Sequence, residues 1–204
     1  LLCSLAYSNL FRNTKQRYFP LGEDKWQSML VDLNNAEKFI YLEYFIIEQG
    51  EFWDSILEIL KEKAKNGLDV RVVFDDVGCM NTLPGNYAKQ LVKFGIKATP
   101  FSRLKGQADN EFNNRSHRKI MVIDGKIGYT GGVNIADEYI NKIEKFGHWK
   151  DVGIRLEGEA VKELTRLFWI DYGINVKHLL EIHAQAYPEK LETDIEKQNG
   201  YVIP

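Results

Sequence analysis

Cysteine is nearly absent from this 204-residue chain. Cys3 and Cys79 stand alone, too few for a disulfide framework and wrongly spaced for a thiolate metal site, so a reducing compartment is expected. Long apolar runs are missing as well. Nothing approaches the roughly 18–20 residues needed to cross a bilayer, and the opening Leu1-Leu2-Cys3-Ser4-Leu5-Ala6-Tyr7 is short and lacks the basic start of a signal peptide. The chain as given is therefore expected to be soluble. Charge of one sign is also lacking. With 27 Lys and Arg against 29 Asp and Glu the net charge is -2, which argues against a general polyanion binder and sets no expectation of nucleic acid as partner. No internal repeat is present. The pair Asp75-Asp76 has no third ligand at sensible spacing, so it is read as turn and capping chemistry, and no metal or other cofactor is expected.

What charge there is lies unevenly. Between residues 87 and 119, Lys89, Lys93, Lys97, Arg103, Lys105, Arg115, Arg118 and Lys119 face only Asp109 and Glu111, whereas the tail carries Glu189, Glu192, Asp194 and Glu196. A basic approach of this kind suits an anionic substrate or an anionic membrane surface. The length fits one large domain with a tail. Residues 1–19 read as an irregular lead, 20–175 as the folded unit, and 176–204 as a short helical piece around 179–186 and an acidic linker. Because the chain starts on Leu and stops on Val202-Ile203-Pro204, it is expected to be a piece of a longer protein.

Elements alternate along the folded unit. Trp26, Met29, Leu30 and Leu33 recur at helical spacing, predicting a helix over 23–34. Residues 39–47 are aromatic and β-branched on both faces, as in a central strand covered on two sides. Their one charge, Glu43, needs a partner when buried; it is read as a structural pairing with a nearby Lys or Arg, or as a border of the site. The stripe Phe52, Trp53, Ile56, Leu57, Leu60 and Ala64 predicts a second helix ended at Asn66-Gly67, and a strand follows over 70–74, a crossover unit. A helix with Tyr87, Leu91 and Val92, a strand over 96–101, a long polar loop over 102–116, a strand over 149–156 and a helix over 158–173 complete the pattern. The fold class is α/β: a mixed, largely parallel central sheet sandwiched by helices. The long loop is read as a rim of the functional pocket.

The most informative stretch is 117–134. Ile120 to Ile123 and Ile127 to Tyr129 read as two strands joined at Asp124-Gly125-Lys126, because Asp-Gly supplies the positive φ that a tight hairpin needs. Alternation puts His117 and Lys119 on one side of the first strand, and Asn134 follows Gly131-Gly132 at the end of the second. An imidazole can attack phosphorus or move protons, an ammonium neutralises phosphoryl oxygens, an amide donates a hydrogen bond, and glycines let backbone N–H groups approach an anion. Taken singly, each residue has a plainer reading as a solvated side chain or a turn former. Asp124, at the corner, is read as an acceptor for local backbone N–H groups.

Together these residues fill every fixed position of His-x-Lys-x(4)-Asp-x(6)-Gly-Gly-x-Asn, and the hairpin resembles the signature of the phospholipase D superfamily. Chance coincidence of six fixed positions is on the order of 10⁻⁸ per starting point. The segments Glu43-Tyr44-Phe45-Ile46-Ile47, Asp75-Asp76-Val77-Gly78, Asn114-Arg115-Ser116, Asn134-Ile135-Ala136-Asp137-Glu138-Tyr139 and Trp149-Lys150-Asp151 look, in order, like the first catalytic half of bacterial cardiolipin synthases. That resemblance implies a phospholipase D-like half-domain and phosphatidyl transfer. A motif His attacks one phosphatidylglycerol, a phosphohistidine forms, and the hydroxyl of a second phosphatidylglycerol displaces it to give cardiolipin and glycerol. It implies His117 and Lys119 as catalytic residues, Lys119, Gly131, Gly132 and Asn134 as phosphate-binding, Asp124 as a structural motif residue, and Asp151 as the carboxylate that fixes the tautomer of the catalytic His. It also implies a bacterial inner-membrane protein with its catalytic part facing the cytoplasm. One imidazole cannot occupy both sides of phosphorus, and only one His-x-Lys motif is present, so a second motif is expected from a missing carboxyl-terminal half or from a homodimer of this chain. The alternatives are a phosphodiesterase or nuclease of the same superfamily acting as a homodimer, and an inactive phosphate-binding half-domain.

Overall fold

The computed structural model describes residues 10–102, 115–176 and 201–203. The expected rim loop falls largely outside them, over residues 103–114, as does the helical piece expected around 179–186. Strands β1 (Thr14–Phe19), β2 (Phe39–Tyr44), β3 (Asp69–Asp75), β4 (Lys97–Phe101), β5 (Lys119–Ile123), β6 (Ile127–Gly131) and β7 (Gly153–Gly158) form one sheet in the order β1-β7-β6-β5-β2-β3-β4. Helices α1 (Gly22–Asn34), α2 (Glu51–Lys65), α3 (Tyr87–Val92) and α4 (Val161–Val176) flank it, with a 3-10 turn at Asp137–Ile140.

The sheet is mixed. β2, β3 and β4 pair parallel because helical crossovers join them, and the remaining neighbours pair antiparallel. Four of the six pairings are antiparallel and two parallel, so the parallel part of the sheet is the block β2-β3-β4. β2 lies inside the sheet and is buried at every position, as its two-sided apolarity requires. One face of the sheet presents Ile40, Leu42, Val72, Phe74, Met121 and Tyr129 to α1, α2 and α3; the other presents Phe39, Tyr41, Ile120, Val122 and Leu156 to α4. On the α4 side Tyr41 stacks between Phe39 at 4.4 Å and Phe168 at 4.9 Å.

Two expectations are corrected. Residues 14–19, within the expected irregular lead, form the edge strand β1 against β7. Only the ends of Thr14–Phe19 are buried, so the strand rests on backbone pairing and carries no hydrophobic period by which to find it. The last sheet strand begins at Gly153 rather than at 149. Upstream, the backbone N–H and C=O of Trp149 are both bonded to the Asn141 side chain, and Asp151 Oδ1 accepts the Val152 N–H at 2.7 Å. These groups are therefore withdrawn from the ladder.

Candidate functional site

The hairpin forms as read, with Ile123 opposite Ile127 and both Asp124 and Gly125 at positive φ. Asp124 does not reach the site. Its carboxylate accepts N–H groups from Glu37, Lys38 and Phe39 at 2.8–2.9 Å, which pins the corner of the hairpin to the start of β2.

At the other end the two strands separate. β5 pairs with β6 only as far as Met121 opposite Tyr129, whereas β6 stays on β7 through Gly131 opposite Gly153. Lys119 lies beyond the last β5–β6 pair. It is buried, donates from Nζ to the His117 carbonyl at 2.7 Å, and lies 5.3 Å over the Phe45 ring. The His117 imidazole is exposed and tilts against the same ring at 4.7 Å. Phe45, just past the end of β2, is thus a shared platform for both motif residues. Burial, then the Lys119 charge, pull the His117 pKa below its ordinary 6.5, against a smaller pull upward from Asp75. The imidazole is therefore mostly neutral at pH 7. Burial brings Lys119 down to about 8, with Asp151 opposing.

Asp151 lies within the field of two lysines. It acts electrostatically on Lys119 and on Lys25, whereas the carboxylate that acts on His117 is Asp75. Asp151 lies in the segment before β7, its Oδ1 engaged by the Val152 N–H. Asp75 is buried at the end of β3, where Oδ1 accepts Val77 and Gly78 N–H groups at 2.9 Å and lies 3.5 Å from Arg115. This is the turn chemistry read from Asp75-Asp76.

The glycine pair packs closely against the segment before β7. A Cβ on Gly132 would fall 2.0 Å from Asp151 Oδ1, and one on Gly131, at φ +133, 2.3 Å from the Val152 carbonyl. Gly132 N–H donates to that carbonyl at 3.0 Å, so it is not offered to an anion. Gly132 makes room for the Asp151 carboxylate, and Gly131 for the Val152–Gly153 backbone. Asn134 is buried, accepts the Ile46 N–H at 3.0 Å and donates to the Tyr139 hydroxyl at 2.9 Å. These bonds fix the end of β2, and with it Phe45, and leave one Nδ2 hydrogen for another acceptor.

Glu43 lies on the α4 face of the sheet, which it shares with Phe39 and Tyr41, four and two positions before it in the strand. It bonds Ser116, which is 3.0 Å from Asp171, and Asp171 pairs with Arg118. Its partners are thus a serine and a second carboxyl group, with the arginine one step removed. Burial, then Asp171, push the Glu43 pKa well up, so it keeps its proton at neutral pH. The cluster braces the segment that carries His117 from behind.

One residue escaped the motif reading altogether. Lys25 of α1 is completely buried, and burial pulls it down to about 7. It sits on the helix face of Gly22 and Met29, and a lysine at core-facing positions of an otherwise amphipathic helix was the available signal. A cavity of about 460 Å³ opens from His117, Arg118 and Lys119 toward Ile154, Leu156, Leu164 and Ile203. Among the described residues no group of three His, Cys, Asp or Glu side chains is placed to hold a metal ion.

Residues 29–169 match the family described as cardiolipin synthase, PLD-like domain. The chain is 50% identical over 197 residues to an uncharacterized protein of Streptococcus mutans, covering 96% of this chain and 41% of that protein. It is 36% identical over 195 residues to cardiolipin synthase 1 of Staphylococcus aureus, covering 94% of this chain and 37% of that one. It thus spans about two fifths of the length of these relatives. Among solved structures, NucT from Helicobacter pylori is similar at TM-score 0.59 and 18% identity, over 78% of this chain and 96% of its own. Nuc from Salmonella typhimurium, a phospholipase D family member, is similar at 0.58 and 16%, over 82% and 97%. These two share the fold.

Proposed function

Since the chain belongs to the cardiolipin synthase, PLD-like domain family, we propose that it is one catalytic half of a phosphatidyl transferase that makes cardiolipin and glycerol from two phosphatidylglycerol molecules. The observation that carries this reading is the exposed, mostly neutral His117 beside the buried ammonium of Lys119, both set on Phe45. A neutral imidazole nitrogen is a nucleophile. It attacks phosphorus, the bond to the glycerol oxygen breaks, and that alkoxide leaves with a proton from an acid on the far side. Lys119 stabilises the charge that builds on the phosphoryl oxygens. In the second step the hydroxyl of another phosphatidylglycerol gives its proton to that same far-side group, now a base, bonds to phosphorus and releases His117.

The far-side acid comes from a second His-x-Lys motif. A carboxyl-terminal half agrees with the fraction of the relatives' length that this chain spans; a second copy of this chain is the alternative, and the structural neighbours are single units of about this size. No helix among the described residues is long and apolar enough to cross a membrane. The half-domain meets its lipid at an anionic membrane surface, in the full protein the cytoplasmic face of a bacterial inner membrane.

The test offers phosphatidylglycerol vesicles and, separately, DNA to the chain with and without its second half, followed by quenching and peptide mass analysis. A phosphatidyl adduct on His117 that is absent from His117→Ala is the expected result. DNA cleavage without lipid turnover would transfer the reading to a homodimeric nuclease. No covalent chemistry with either substrate would leave a phosphate-binding half-domain.

A further inference from the structure

Lys25 is a buried cation short of acceptors. An ammonium carries three N–H donors, yet its Nζ reaches the Val133 carbonyl only at 3.5 Å and otherwise lies 5.7 Å over the Tyr44 ring. Its stem is held tightly, since a Cβ on Gly153 would come within 2.5 Å of its Cδ. The charged groups that act on it are Asp151, which attracts it, and Lys119, which repels it. Both lysines thus lie in the field of one carboxylate without pairing directly with it, and a set of two positive charges and one negative is left one anion short. A phosphodiester is a monoanion.

Building on the transferase reading above, we propose that Lys25 is a positioning residue of the phosphate site: it holds Asp151 in the space left by Gly132, and a phosphodiester bound at Lys119 completes the charge balance of the trio. Lys25 does not touch the reacting atoms. It acts through Asp151, which it keeps from pairing fully with Lys119, so that Lys119 retains unsatisfied charge for the substrate. Without an anion the two lysines disfavour each other's charged form. A bound anion favours both, so binding takes up protons at neutral and higher pH.

The probe is dimethyl phosphate, a diester that stays a monoanion between pH 5 and 9, titrated into the intact chain by NMR at pH 6, 7.5 and 9. The wild type should bind best at pH 6. Lys25→Met keeps the stem and removes the buried charge, so its melting temperature should equal or exceed that of the wild type. Its affinity at pH 6 should fall roughly tenfold, as for one pKa unit of coupling, and the pH dependence should lose about one proton. In wild-type protein with ¹³C-labelled lysine, the Lys25 Cε signal should titrate at a higher pH once dimethyl phosphate is bound; this readout needs no variant. Unchanged affinity and pH slope in Lys25→Met, or a Lys25 midpoint that ignores the ligand, would overturn the proposal. If Lys119→Met also binds dimethyl phosphate as the wild type does, the phosphate site and the transferase reading fail with it; if only the Lys25 effects are missing, that reading stands.

Discussion

At the scale of single residues the site is governed by what burial does to charge. His117 has its pKa lowered and Lys119 falls to about 8, so the window in which the first is neutral and the second charged runs from below 6.5 to about 8. Transfer rates measured with the second half present should rise with pH through the His117 midpoint and fall again as Lys119 loses its proton. A rate still climbing at pH 9 would contradict the assignment. Glu43 gives a stability prediction of definite sign. Its folded pKa is raised above the ordinary carboxyl value of 4.5, so folding takes up a proton between the two. That contribution is full below the ordinary carboxylate value and is lost as pH rises through the raised one. Glu43→Gln, which cannot ionise, should gain melting temperature relative to the wild type as pH goes from 5 to 8. A constant difference across that range would refute it.

At the scale of elements, carboxylates that accept backbone N–H groups pin the hairpin corner and the start of α2. Asp124→Ala removes the acceptor of three N–H groups and should cost on the order of 2 kcal/mol in denaturant unfolding; less than half of that would mean water replaces it. Asp137 accepts the Glu51 and Phe52 N–H groups at the start of α2 from outside the helix, so Asp137→Ala should cost about 1 kcal/mol as a lost cap. Gly132→Ala, whose Cβ would overlap Asp151, should weaken phosphate binding as well as folding, while the far turn at Gly67, with nothing near its Cβ position, bears only the φ strain of a substitution.

How much of this was legible follows from the same contacts. The crossover β2-α2-β3, the hairpin and α4 were readable because a local period marks each of them. β1 was not, since an exposed edge strand needs only a partner's backbone. Within the site, His117 and Lys119 were set side by side by strand alternation alone. The bonds of Asn134 to Ile46 and of Gly132 to Val152 join segments distant in sequence, and no spacing rule contains them. Lys25 is the sharpest instance: its role depends on Asp151, 126 positions away (151 − 25), and only the packed sheet brings the two within each other's field.

At the scale of the whole molecule, one imidazole on one face of phosphorus is half of an in-line displacement. Cardiolipin formation should be absent from the isolated monomer, appear when the separately produced second half and a lipid surface are added, and vanish with His117→Ala. Full turnover by the monomer would refute the half-site. Beyond the chemistry, Phe11 and Val202 exchange two backbone hydrogen bonds at 2.9 Å in an antiparallel bridge. In that geometry residues 10 and 203 lie next to each other, so tension applied at the two ends would undo the clasp in sequence rather than load its bonds together. Under force the unit should unclasp at low load at this edge first, and the strands that carry His117 should feel the pull only after β1 has peeled from β7.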